Sequence, residues 1–210
     1  MTSIEEAVRQ PTPQRRSGEL LLELLSEEIP ARMQRRAIED LRRSVREWLM
    51  VHRISEGTAV EGYVTPRRLV IIARRIPDRI PGRPDRGPRV GAPAQALEGF
   101  LRANLLRIEQ CEIRDTDRGQ FYFIKRPDQA TKDVLPKIVN SALLGLQWPK
   151  SMRWPGASLR WVRPLSSIIC LYDGEVLPLA IDGVPVGRTT RGHRFLSPGS
   201  FCVDSATEYL

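Results

Sequence analysis

Between Pro77 and Pro93 the chain carries proline at 77, 81, 84, 88 and 93, glycine at 82, 87 and 91, and arginine at 79, 83, 86 and 89. Proline fixes φ and removes a backbone donor, and glycine contributes no side chain to pack, so this density predicts no regular element. The stretch therefore limits what the 210 residues can build. It predicts a lead-in over 1–17, a first α+β unit over 18–76, a linker or loop over 77–93, and a second α+β unit over 94–210. The expected fold class is α+β: two small mixed sheet and helix units, antiparallel strands dominant, joined by the Pro/Gly/Arg-rich segment.

In the first unit, Glu19 to Leu25 is an apolar run with Glu23 inside it, the pattern of a strand. Ser26-Glu27-Glu28-Ile29-Pro30 then reads as a helix entrance, because proline suits the first turn and acidic groups favour the positive end of the helix dipole. From Ala31 to Met50 the period is helical. Ala37, Ile38, Leu41, Val45, Trp48 and Leu49 share one third of the wheel, and Arg32, Arg35, Arg36, Arg42, Arg43 and Arg46 occupy the third beside it. An arginine stripe can track a phosphate backbone, but with Glu39, Asp40 and Glu47 nearby a solvated face is the stronger reading. Glu61 to Arg74 predicts two strands joined at a Pro66 bend.

The second unit opens with a helix over Ala94 to Leu106, then a strand pair around the Asp115–Gly119 turn. A helix follows over Thr131 to Leu144, with Gly145 as its stop. Leu165 to Tyr172, Glu175 to Ile181 and Val186 to His193 read as strands joined by Asp173-Gly174 and Asp182-Gly183 turns. Ser205 onward reads as the start of another helix. The chain stops inside it, which predicts a piece of something longer.

The formal net charge is +8, and Lys stands only at 125, 132, 137 and 150, so nearly all of the 33 cations are arginine. Arginine forks phosphate bidentately and stacks on bases, so the positive sum leans towards nucleic acid. Cys111, Cys170 and Cys202 are odd in number and far apart, which argues for reduced thiols over a disulfide frame or zinc site. No apolar run approaches the ~20 residues of a bilayer span, and no secretory signal opens the chain. The expected location is the cytoplasm.

Three motifs in the last third set cations beside rings or turn residues: Pro149-Lys150-Ser151-Met152-Arg153-Trp154, Trp161-Val162-Arg163-Pro164, and Thr190-Arg191-Gly192-His193-Arg194-Phe195. Trp148 and Trp154 flanking Lys150 and Arg153 suit either internal cation–π packing or a platform for an unpaired base. Arg163 and the Arg188, Arg191, His193, Arg194 cluster are candidates for the same face. In Thr65-Pro66-Arg67-Arg68 the rigid turn aims two cations. Arg67 or Arg68 meets a phosphate or partner carboxylate, or else pairs with the Glu27-Glu28 segment and stitches the fold. The candidate RNA- or partner-binding residues are thus Arg67, Arg68, Lys150, Arg153, Trp154, Arg163, Arg188, Arg191, His193 and Arg194. His193 has no Cys or second His beside it for a metal, and no phosphate-binding glycine loop or nucleophile motif is present, so no catalytic residue is assigned.

Those three motifs, with Leu20–Pro30 and Tyr63–Leu69 before them in the same order, resemble the β chain of the bacterial two-subunit glycine–tRNA ligase, glycyl-tRNA synthetase. The resemblance covers nearly everything after the first 17 or so residues. Relatives usually carry a longer, Phe-Asp-containing stretch after Arg86-Gly87-Pro88, so this chain is shortened between Pro88 and Ala96. In that family the α chain uses ATP and magnesium to make glycyl-adenylate, and the much longer β chain helps bind and position tRNA. The resemblance implies an N-terminal β-chain portion that binds no cofactor itself. Its implied partners are the α subunit, in an α2β2 tetramer, and tRNA(Gly), with no membrane. The portion is expected to be non-catalytic, supporting tRNA binding, subunit assembly or scaffolding. The alternatives are a freestanding basic RNA-binding module and, less favoured, a small hydrolase or editing-type domain using His193 with a nearby acid.

Overall fold

A computed structural model describes residues 17–54, 56–82, 84–124, 126–151, 159–179, 181 and 183–210. The expected lead-in lies outside these residues except for Ser17, which opens the first strand. In chain order the elements are β1 (Ser17–Ser26), α1 (Ala31–Val51), β2 (Ala59–Thr65), β3 (Arg68–Pro77), β4 (Arg79–Ile80), β5 (Asp85–Arg89) and α2 (Ala94–Asn104). A single 3-10 turn at Ile108–Gln110 precedes β6 (Cys111–Thr116), β7 (Gly119–Ile124), β8 (Gln129–Ala130) and α3 (Thr131–Leu144). The remainder comprises β9 (Leu165–Tyr172), β10 (Glu175–Val176), β11 (Val186–Gly187), β12 (Thr189–Arg191), β13 (Ser200–Cys202) and α4 (Ala206–Tyr209). The architecture is α+β with antiparallel strands dominant, as the sequence predicts.

The central sheet runs β10-β9-β1-β3-β2, with β11 joining β9 in parallel. Pairing of β9 with β1 brings residues 165–172 into the sheet begun by residues 17–26. The chain accordingly forms one compact unit from the residues up to Asp78 together with Thr131–Leu210, and a second from Arg79–Ala130. This division differs from the expected 18–76 and 94–210. The physical reason is that β1 would be an open edge without β9, and edges recruit strands.

Strand alternation gives each face of the sheet its own cover. Leu22 pairs with Ile71 and Ile71 with Gly62, so all three share a face. A Cβ on Gly62 would sit 2.9 Å from Ile38 Cγ1 of α1, so the missing side chain is what lets this helix lie close. The apolar stripe of α1 meets that face, with Leu41, Val45 and Leu49 buried as the wheel predicts. Met33 is buried as well, whereas Trp48 is only half-buried. On the opposite face Leu21, Val70, Ile72, Ile169 and Leu171 pack against Val203 and Ala206, with Tyr209 at the margin.

Unit 79–130 contains the three-stranded sheet β5-β7-β6, the short β4–β8 ladder and α2. Strands β4 and β5 occupy the Pro/Gly/Arg stretch where no regular element was expected. They survive because β5 is an edge strand, and its register slips between Arg86 and Arg89 to absorb Gly87 and Pro88. Arg86 lies over the Phe121 ring at 4.7 Å and Arg114 over Phe123 at 5.4 Å, so two cations of this unit are spent on its own aromatics. The helix at Thr131–Leu144 and the strand at Leu165–Tyr172 have the bounds the sequence predicts. The expected strand over 175–181 is cut short by Pro178, which lacks the donor a ladder needs, and that over 186–193 divides at Arg188 into β11 and β12. No helix among the described residues is long and apolar enough to cross a membrane.

Candidate nucleic-acid and subunit interface

The link between β1 and α1 is where the distant motifs meet. Its backbone is bonded on both sides: Ser26 N donates to Arg67 O at 2.9 Å, Glu27 N to Pro164 O at 3.0 Å, and Ile29 N to Pro66 O at 2.7 Å. Side chains follow the same convergence. Arg67 Nε donates to Ser26 O at 3.2 Å and its terminal nitrogen to Glu27 Oε1 at 3.4 Å. Arg163 Nε donates to Glu28 O at 3.3 Å, and Arg194 pairs with Glu27 Oε2 at 3.5 Å. Three candidate binding arginines from three motifs therefore close on residues 26–28, which the sequence reading foresaw for the Arg67-Arg68 pair alone.

Arg68 takes neither expected role: it points inward to Glu23 of its own fold. Glu23 is 0% exposed, and a carboxylate out of water must be paired and hydrogen-bonded. Arg68 Nε donates to Glu23 Oε2 at 3.2 Å, Thr190 Oγ1 donates to Oε1 at 2.6 Å, and the Tyr209 hydroxyl donates to Oε2. Burial first, and then the adjacent Glu23 charge, push the Tyr209 phenol far above its ordinary value. Glu19, four residues earlier and hence on the same face, accepts from Arg74 Nε at 2.9 Å and from Ala206 N at 3.1 Å. Arg74 also reaches Glu61 Oε2 at 2.7 Å, to which the Tyr63 hydroxyl donates at 2.8 Å. The Tyr63 hydrogen bond and then Arg74 hold the Glu61 carboxyl below the usual range. Glu19, Thr190 and Tyr209 were not foreseen. The available signal was two glutamates at even spacing inside an apolar strand.

These glutamates fasten the β12–β13 hairpin and α4 to the sheet, and the hairpin carries the Thr190–Phe195 motif outward. Its loop has a fixed shape. A Cβ on Gly192 would lie 2.0 Å from Ser197 O, Gly192 N donates to Gly199 O at 3.0 Å, and Ser197 N donates to His193 O at 3.0 Å. His193 Nδ1 accepts from Phe195 N at 3.3 Å and Leu196 N at 3.1 Å. With that lone pair used on the backbone, the imidazole serves as a loop brace, which removes support for a general-base role. At the tip Phe195 is 82% and Leu196 86% exposed. Arg188 is turned inward to Asp204 and to Gly174 O at 3.1 Å. The Arg191 side chain has no ion pair among the described residues. Its main-chain oxygen accepts from Arg68. An open cavity of about 450 Å³ lies beside it, with Arg68, His193, Glu208 and Tyr209 in its wall. Lys150 stands elsewhere, in a cleft against α1. Arg153 and Trp154 lie outside the described residues. Among the described residues no cluster of three or more His, Cys, Asp or Glu could hold a metal.

Such a molecule is a basic α+β protein whose arginine motifs are organised around one strand-to-helix joint, with a braced hairpin that holds two large apolar side chains in solvent. The family model described as "Glycyl-tRNA synthetase beta subunit" matches residues 20–210, and the chain belongs to that family. It is 44% identical over 200 residues to the glycine–tRNA ligase beta subunit of Ruegeria sp. (strain TM1040), covering 91% of this chain and 29% of that one. It is 46% identical over 221 residues to the glycine–tRNA ligase beta subunit of Rhodospirillum centenum, covering 91% and 31%. That of Phenylobacterium zucineum is 45% identical over 184 residues, covering 86% and 27%. The chain thus spans less than a third of the length of these relatives.

Proposed function

We propose that this chain is a non-catalytic part of a glycine–tRNA ligase, helping to bind tRNA(Gly) and to join the β subunit to its α partner. On this reading the α subunit supplies the ATP and magnesium chemistry, within an α2β2 assembly in the cytoplasm. The observation that carries it is the hairpin tip. Phe195 and Leu196 stand in solvent on a loop whose shape is fixed by Gly192 and His193, flanked by Arg191 and Arg194. Folding of this chain gains nothing from displaying two large apolar groups, and aromatic side chains with arginine are the usual composition of a contact surface. The relatives' names, all glycine–tRNA ligase beta subunits, support the choice of partners.

The test is retention of tRNA(Gly) on filters across a salt series, with and without purified α chain. The wild-type chain is expected to bind tRNA with a steep salt slope, and Arg191→Ala to lower that slope by about 1. The double variant Phe195→Ala/Leu196→Ala is expected to weaken capture of the α chain by at least about tenfold while leaving tRNA retention in place. A wild-type chain that takes up neither tRNA nor α would refute the reading.

A further inference from the structure

A second feature lies outside the hairpin, where α1 meets the segment after α3. A cleft of about 320 Å³ opens there, the size of a small-ligand site. Met33 and Ala37 of α1, both buried, form its floor, and Trp148 and Pro149 its opposite wall. Trp148 packs edge-on against the buried Trp161, with ring centroids 4.9 Å apart and planes at 68°. That contact holds the indole in place, so its remaining surface is a rigid aromatic wall rather than a mobile side chain. Cations supply the rim: Arg32 and Arg36 from α1, and Lys150 from the facing segment.

Asp40 is the one acidic group among the described lining residues, and it is already paired to Arg36 at 3.5 Å and to Arg43. Arg32 and Lys150 form no ion pair among the described residues. The cleft therefore combines an apolar, ring-lined interior with uncompensated positive charge at its mouth. A planar base beside a phosphate complements both features, whereas an aliphatic side chain or an acidic peptide would use only one. Aromatic walls with neighbouring cations hold unpaired bases without demanding a sequence.

We infer that this cleft binds one unpaired nucleotide of an RNA strand, its base against Trp148 and its phosphate between Arg32 and Lys150. The inference rests on the tRNA-binding reading above and assigns part of that contact to a place outside the hairpin.

Filter binding of tRNA(Gly) to the whole chain tests it. Arg32→Ala/Lys150→Ala is compared with Lys137→Ala/Arg118→Ala, which removes the same charge from exposed positions outside the cleft. The cleft variant is expected to bind about tenfold more weakly and to lose about 0.7 from the salt slope, the share of one single-strand phosphate. The second variant is expected to stay within about twofold of wild type. Equal losses in the two variants would overturn the site while leaving tRNA binding by the chain intact. A wild-type chain that does not retain tRNA would overturn both. AMP in equilibrium dialysis decides the source of the nucleotide: saturable micromolar binding, abolished in the cleft variant, would replace the strand with a free mononucleotide and overturn the assignment to RNA.

Discussion

Glu23 shows how one residue can hold three elements that are far apart in sequence. Its two oxygens accept from Arg68 of β3, Thr190 of β12 and Tyr209 of α4, so the carboxylate lies at zero exposure with both oxygens hydrogen-bonded. Truncation would strand all three partners at once. Glu23→Ala is expected to lower stability by about 3 kcal/mol, the scale for breaking a buried pair, read as a shift of the urea midpoint. Glu23→Gln keeps one acceptor oxygen but turns an amide N–H towards donors, and about 2 kcal/mol is expected. Arg68 retains some solvent contact, at 22% side-chain exposure, which keeps these figures at the lower end. A Glu23→Ala chain with an unchanged midpoint would show that the hairpin and α4 are held by the apolar cluster alone.

Among the elements, those whose side chains declare one face by periodicity were legible from sequence. The stripe of α1, the span of α3 and the strand β9 all follow from apolar spacing that local geometry alone can use. The adoption of β9 by β1 was not legible, because pairing partners are chosen by the whole sheet and no local pattern encodes them. For the same reason the motifs of the candidate interface were visible one by one, but their meeting at Ser26–Ile29 was not. Arginine beside proline looks alike whether it faces a phosphate or a backbone carbonyl. β9 also carries a measurable consequence of its central place. Burial pushes the Cys170 thiol up to about 12, and burial followed by the Asp173 charge pushes the Tyr172 phenol up to about 12. Both groups are neutral in either state at low pH. As pH rises past their ordinary values of 9.0 and 10.0, the unfolded chain releases protons that the folded one retains. Stability is therefore full below about pH 9 and is lost as pH climbs towards 12, at up to about 1.4 kcal/mol per pH unit for each ionising group. Urea midpoints measured from pH 8 to 11 should fall, and less steeply in Cys170→Ala. A flat profile would mean that β9 opens to solvent.

For the whole molecule, the route of the chain matters more than any one contact. The backbone leaves the central sheet after β3 and returns at α3, and the two crossing points are joined: Thr131 N donates to Asp78 O at 2.9 Å. Residues 79–130 therefore form a compact insertion whose ends meet, with the short β4–β8 ladder at its neck. Insertions with adjacent ends can be removed without stretching the host, because the remaining chain has no gap to span. The remaining unit keeps the full central sheet, with α1 on one face and the Glu23 and Glu19 anchors on the other. A chain in which 79–130 is replaced by two glycines is accordingly expected to fold. It should retain the far-ultraviolet spectrum of the sheet and helices and a single cooperative urea transition. It should also bind tRNA(Gly) with the salt slope of the parent, since the hairpin and the α1 cleft both lie in what is kept. If the shortened chain were unfolded, the sheet would depend on the insertion, and the two units would be one cooperative body. If it folded but lost tRNA, the RNA surface would have to be sought on β5, β6, β7 and α2 instead.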